Sequence, residues 1–157
     1  LAHITYLSEI GMREKFGRRL QEMDHYNFEF SHNFQIESYL RYQGSQFVNR
    51  FDANAYLYIT RAMDYFNLSA ECDGNGDLAT VMNKASANFL IMSFSSDWLF
   101  PPYQSVEIVK ALQSCQKEVT YCNIESDYGH DAFLLEFETL GNIVRSFLNR
   151  QGKLYSK

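Results

Sequence analysis

The chain has 157 residues, a formal charge of −5, 46% hydrophobic residues and 21% charged ones. That length holds one ordinary domain with a real core but not two large ones, and the composition excludes a disordered chain. The acidic balance argues against a general nucleic-acid binder, which needs clustered Lys and Arg to meet phosphates.

In chain order, residues 1 to 68 read as helical. SEIGMREKFGRRLQEM sets Met12, Phe16, Leu20 and Met23 at spacings of four, four and three, one face of a helix. Ser8 with Gly11 lacks the acid of a capping box, so the start is weakly marked. The basic residues from Arg13 to Arg19 are interrupted by apolar ones and read as the solvated face of that helix. DHYNFEFSHN, residues 24 to 33, reads as a connection. Two helices follow, FQIESYLRYQGSQFVNRF and DANAYLYITRAMDYF, the second with Tyr56, Ile59, Met63 and Phe66 in register and Asp52 as its N-cap. The 16% aromatic content suits a large packing surface or an aromatic-lined pocket. SAECDGNGDL is the most turn-rich stretch and divides the chain near residues 70 to 77.

Beyond it the pattern changes. LATVMNKASA reads as a helix, and NFLIMSFSS as a buried parallel strand ending in small polar residues. A helix from Gln104 to Cys115 follows DWLFPP, with Val106, Val109 and Leu112 in register. EVTYCNI, residues 118 to 124, is a second strand with β-branched residues. After the ESDYGHD loop, a last helix places Phe133, Phe137, Leu140, Val144 and Phe147 on one face. Helix, strand, helix, strand, helix predicts a parallel sheet covered by helices, an α/β fold.

Cys72, Cys115 and Cys122 form no C-x-x-C pair and read as reduced thiols of a cytoplasmic protein. No stretch approaches the roughly 20 apolar residues of a membrane span, and no signal peptide precedes the first helix. The start at Leu1 rather than Met suggests a piece of a longer protein.

In open α/β sheets, reactive groups gather beyond the carboxyl ends of the strands. Asp97 lies three residues after FLIMSF, and His130 six after Ile124. There an Asp carboxylate can accept Nδ1–H of the imidazole and leave Nε2 to take a proton from a hydroxyl. Spacing alone leaves a structural alternative open, with Asp97 capping the turn before Pro101 and His130 capping the last helix. No G-x-S-x-G nucleophile elbow occurs. The GSQ at Gly44 lies in a helical pattern, and Ser93, Ser95 and Ser96 read as polar caps at a strand end.

Four blocks carry a specific resemblance: HITYLSEIGMREKFGRRL (3 to 20), ESYLRYQGSQFVNRFDANAYLYITRAMDYF (37 to 66), SFSSDWLFPPYQSVEIVKAL (93 to 112) and IESDYGHDAFLLE (124 to 136). In this order they resemble the homoserine O-acetyltransferase family, acyltransferases of the α/β-hydrolase fold on one route to methionine. The resemblance implies a helical lid over residues 1–70 and the C-terminal part of the hydrolase core over 71–157. It implies Asp97 and His130 as catalytic, Asp131 as the acid that holds the substrate's amino group, and a nucleophilic serine upstream of Leu1. The family's substrate-binding arginine has no sure counterpart, Arg13 and Arg61 being weak matches. Also implied are L-homoserine with acetyl-CoA or succinyl-CoA as substrates, ping-pong transfer through an acyl-enzyme, a homodimer through the lid, and neither metal nor cofactor. By itself the chain is expected to be inactive and hard to keep soluble. The alternatives are a succinyltransferase of the same family, an α/β-hydrolase esterase, and a non-catalytic interaction module.

Overall fold

A computed structural model describes residues 2–26, 28, 33–71 and 76–155. Helix α1 spans Ala2–Thr5 and α2 Glu9–Lys15. Ser8 starts α2, its Oγ accepting the Gly11 N–H at 2.9 Å, which satisfies one of the free donors of a first turn. The helix expected through Met23 stops at Lys15. Gly17 takes φ +53°, a left-handed conformation that glycine adopts without a Cβ clash. Phe16 is buried, with Met12, Leu20 and Met23 half-buried, so those four side chains do turn inward, but not along one helix. Leu20 instead forms an isolated antiparallel bridge with Phe34. The basic cluster is only partly helical as well. Arg19 lies past α2, and its guanidinium donates to the Glu14 carbonyl at 2.9 Å and to that of Lys15, capping the helix's C-terminal end.

Helices α3, Gln35–Arg50, and α4, Ala53–Tyr65, form as expected. The Glu37 carboxylate accepts the Asn33 and Phe34 N–H groups at 2.9 Å, and Asp52 caps α4 through the Ala55 N–H at 2.8 Å. The stripe Tyr56, Ile59, Met63 and Phe66 is not buried in this chain, although Tyr56 sets its ring edge-on to Phe47 and Phe51. The stripe residues stay 52 to 69% exposed. Helix α5 covers Leu68–Glu71 and α6 Leu78–Asn83. Most of the turn-rich stretch between them, Cys72 included, lies outside the described residues.

Strands β1, Phe89–Phe94, and β2, Val119–Ile124, pair in parallel from Phe89 against Val119 to Phe94 against Ile124. Helix α7, Pro102–Ser114, is the crossover. Pro102 suits its first turn, where the missing N–H has no helical partner. The helix packs on both strands and buries Val109 and Leu112. Leu112 is fully inaccessible, a contribution of about 1.5–3 kcal/mol. Past β2 come a 3₁₀ turn, Gly129–Asp131, then α8, Ala132–Leu135, and α9, Phe137–Tyr155. Phe94, Ile124 and Ala132 form a core cluster on which Leu140 and Ile143 pack. The single last helix expected from Phe133 onward is broken at Glu136. Phe133 and Phe137 are 46 and 68% exposed, while Leu140, Val144 and Phe147 face inward.

Candidate active site

The in-register pairing brings the carboxyl ends of β1 and β2 level. After β1 the chain turns at once, the Asp97 N–H donating to the Phe94 carbonyl at 3.1 Å. Asp97 is only 6% exposed, and its carboxylate is fully engaged. Oδ1 accepts the Leu99 and Phe100 N–H groups at 3.0 and 2.9 Å. Oδ2 lies 2.9 Å from His130 Nδ1. A carboxylate that already accepts two backbone donors is an acceptor toward the imidazole too. The proton of His130 therefore sits on Nδ1, and Nε2 keeps its lone pair for an incoming proton. Asp97 is thus both the cap of its turn and the partner of His130, whereas His130 caps no helix.

Aromatic rings surround the imidazole. Phe100, Tyr6 and Phe133 have ring centroids 5.1, 5.5 and 5.6 Å from that of His130. Such neighbours limit the imidazole's ring rotation. Asp131 stands at the N-cap of α8, half-buried. Its backbone N–H donates to the Tyr6 carbonyl at 3.1 Å, but its carboxylate caps nothing.

The serines in and just after β1 act as struts. Ser93, inside the strand rather than at its end, donates to Asn123 Oδ1 at 2.9 Å and lies 2.8 Å from the Tyr121 hydroxyl. Ser95 Oγ accepts the Ser126 N–H at 3.0 Å, and Ser96 Oγ the Gly129 N–H at 2.9 Å. None of the three bonds to His130. Gly44 lies within α3, so the GSQ is no nucleophile elbow. Arg13 is exposed on α2, and Arg61 stacks on Tyr65 along α4. Neither is hydrogen-bonded or ion-paired to the Asp97–His130 pair. Among the described residues no cluster of His, Cys, Asp and Glu has the makings of a metal site, and no helix is long and apolar enough to cross a membrane.

Residue-by-residue spacing missed Tyr6 and Ser8, which meet the histidine loop from far along the chain, and Trp98, beside Asp97, whose indole N–H reaches back to the Leu7 carbonyl. The only local trace was Gly129 in the Gly-His-Asp turn, a glycine just where backbone approaches backbone.

No protein-family model matches the chain. Curated relatives do. It is 53% identical over 149 residues to the homoserine O-acetyltransferase of Methanohalobium evestigatum, covering 95% of this chain and 30% of that protein. It is 57% identical over 149 residues to that of Pelagibacter ubique, covering 92% and 40%. The chain thus spans about a third of the length of the curated relatives it matches. Among solved structures, it superposes on a homoserine O-acetyltransferase of Bacillus anthracis with a TM-score of 0.78 at 22% identity, over 94% of this chain and 39% of that one. An esterase variant named E22 gives a TM-score of 0.68 at 22% identity, over 92% and 39%. The fold is the C-terminal portion of an α/β-hydrolase, and the resemblance to homoserine O-acetyltransferases holds along nearly the whole chain.

Proposed function

We propose that this chain supplies the acid and base of a Ser–Asp–His acyltransferase that moves an acetyl group from acetyl-CoA to L-homoserine. The observation that carries the reading is the Asp97–His130 hydrogen bond beyond two parallel strand ends, in a chain whose relatives are named for that activity. Their names favour acetyl over succinyl as the acyl group. The N-terminal helices, residues 1–70, are the lid, and residues 71–157 are the core. The nucleophile is a serine contributed from outside these 157 residues, since no elbow motif lies within them.

In the first half-reaction His130 Nε2 takes the serine proton as the serine oxygen attacks the thioester carbonyl. The tetrahedral intermediate collapses, and the CoA thiolate leaves with the proton that Nε2 returns. In the second half-reaction Nε2 takes the proton of the homoserine hydroxyl. That oxygen attacks the acyl-enzyme, and the serine oxygen regains its proton as the ester product departs. Asp97 holds the imidazole in one tautomer and stabilises the imidazolium in both halves. The Asp131 carboxylate, free of any cap, receives the ammonium of homoserine. The aromatic walls around His130 keep water from competing for the acyl group. No metal or cofactor takes part, and acyl-CoA is consumed as a substrate. The exposed apolar faces of α3 and α4 support a homodimer formed through the lid, and the free thiols Cys115 and Cys122 a cytoplasmic setting. The product suits methionine synthesis.

The test is acyl transfer by the full-length protein, followed by thiol release from acetyl-CoA with and without homoserine. Acetylated homoserine is the expected product, and thiol release without it would sink the assignment. Asp131→Asn should raise KM for homoserine roughly 10- to 100-fold, the worth of a charged hydrogen bond, while slow thioester hydrolysis persists. An unchanged KM would remove Asp131 from the acceptor site. A second reading follows from the E22 esterase neighbour: the same pair would pass the acyl group to water, giving thiol release that ignores homoserine.

A further inference from the structure

The turn that carries His130 is tied to a distant point in the chain. Gly129 has φ +68°, and a Cβ there would lie 2.5 Å from Ser8 N, 2.7 Å from Leu7 C and 2.9 Å from the Tyr6 carbonyl oxygen. All three are backbone atoms, so neither strand of the contact can yield. The same step is gripped from both strand-end loops. After β1, the Trp98 Nε1–H donates to the Leu7 carbonyl at 3.1 Å. After β2, the Asp127 carbonyl accepts from Ser8 Oγ, and the Asp131 N–H donates to the Tyr6 carbonyl at 3.1 Å. Ser8 is 6% exposed and meanwhile accepts the Gly11 N–H that opens α2. On its other side lies an open cleft of about 590 Å³, bordered by Ile4, Met12 and Trp98. Beside that cleft, these hydrogen bonds and the Gly129 contact hold the segment.

We infer that Ser8 is a positioning residue for His130: its hydroxyl locks the first turn of α2 to the Asp127–Gly129 loop. The placement of the N-terminal helices and the aim of the imidazole are then one conformational variable. His130 projects from a turn of only three residues, and a displacement of about 1 Å in a reacting group can cost roughly a hundredfold in rate. A latch on that turn therefore acts on turnover without touching substrate. Its catalytic consequence rests on the acyltransfer reading; the latch itself does not.

In the full-length protein Ser8→Ala should lower kcat roughly 10- to 100-fold, with KM for acetyl-CoA held within about twofold. Asp52→Ala is the control. It deletes an equivalent N-cap bond on α4 with no tie to the histidine turn, and should leave kcat unchanged. Trp98→Phe removes one donor to the Leu7 carbonyl and should lower kcat in the same direction, deciding the matter alone if Ser8→Ala does not fold. Proton NMR gives a second readout. The His130 Nδ1 proton shared with Asp97 should broaden and exchange faster in Ser8→Ala, and stay sharp in Asp52→Ala. If Ser8→Ala matches Asp52→Ala in both kcat and this resonance, the positioning role is refuted. If the unsubstituted protein transfers no acyl group, the functional reading fails, and the NMR comparison alone decides the latch.

Discussion

Replacing Asp97 with Asn tests whether the carboxylate does more than hold its turn. The Leu99 and Phe100 N–H groups converge on Oδ1, so the amide oxygen of the variant must stay there. The reverse orientation would set an NH₂ group against two donors. The amide nitrogen is thereby forced into the place of Oδ2, 2.9 Å from His130 Nδ1. It presents a donor where Asp97 presents an acceptor, and the imidazole must move its proton to Nε2. The turn keeps both backbone bonds and loses only their charge assistance, about 1 kcal/mol of stability. Turnover loses its base. Inverting the tautomer of a triad histidine costs roughly four decades in kcat, or about 5.4 kcal/mol at 1.36 kcal/mol per decade. Asp97→Ala, by contrast, orphans two N–H groups at about 1–3 kcal/mol each and would confuse misfolding with lost chemistry. Thiol release from acetyl-CoA measures the first effect, and the ¹⁵N shifts of the His130 ring report the tautomer independently of turnover. If Asp97→Asn keeps kcat within tenfold, or the ring keeps its Nδ1 proton, the reasoning is wrong.

Two further substitutions probe the frame of the site. Gly129→Ala must accept left-handed strain of about 1–2 kcal/mol plus overlap with three backbone atoms, roughly 2–5 kcal/mol in all. Gly76→Ala, at φ +84° with open space around it, should cost only the strain. Denaturant unfolding of the pair isolates the overlap, and equal losses would show that the close approach is not there. At α6, Asp77 accepts the Thr80 hydroxyl at 2.7 Å and the Ala79 and Thr80 N–H groups at 3.1 and 3.0 Å. The Thr80 hydroxyl, then those backbone donors, hold its carboxyl below the ordinary value. A depressed folded-state value means that the cap's stabilisation is complete above the ordinary carboxylate range and is lost as pH falls through the lowered one. An NMR titration should find the Asp77 midpoint raised in Thr80→Val; an unmoved midpoint would show that the hydroxyl does not matter.

What could be read in the sequence follows the range of the forces involved. Both strands and α7 were legible because an apolar or β-branched run and the helical register of Val106, Val109 and Leu112 are local signals, although α7 starts at Pro102 rather than Gln104. So was the joint role of their ends, since parallel strands must deliver their loops to one edge. The stripe Met12, Phe16, Leu20, Met23 was misread as one helix because inward-facing residues recur as well in a helix, a turn and a bridge. Only the backbone of Gly17 separates these cases. On α4 the stripe from Tyr56 to Phe66 correctly announced a helix, but periodicity marks a face and not what covers it. The strut serines and the Ser8 latch had no local signature, because they join residues 28 to 33 and 119 positions apart.

For Asp97, the turn cap and the partner of His130 are one arrangement. A short side chain that accepts two N–H groups on one oxygen loses its rotational freedom, and its second oxygen then points in a fixed direction. That direction is toward β2, whose in-register pairing sets the start of the neighbouring loop level with the turn. Five residues later the loop arrives with a glycine at φ +68°, which allows the sharp return that brings His130 within 2.9 Å. The carboxylate is a precise acceptor because it caps a turn, and the imidazole finds it because Gly129 can press against Leu7 and Ser8. Orientation in this site is therefore a property of the backbone, with the side chains following.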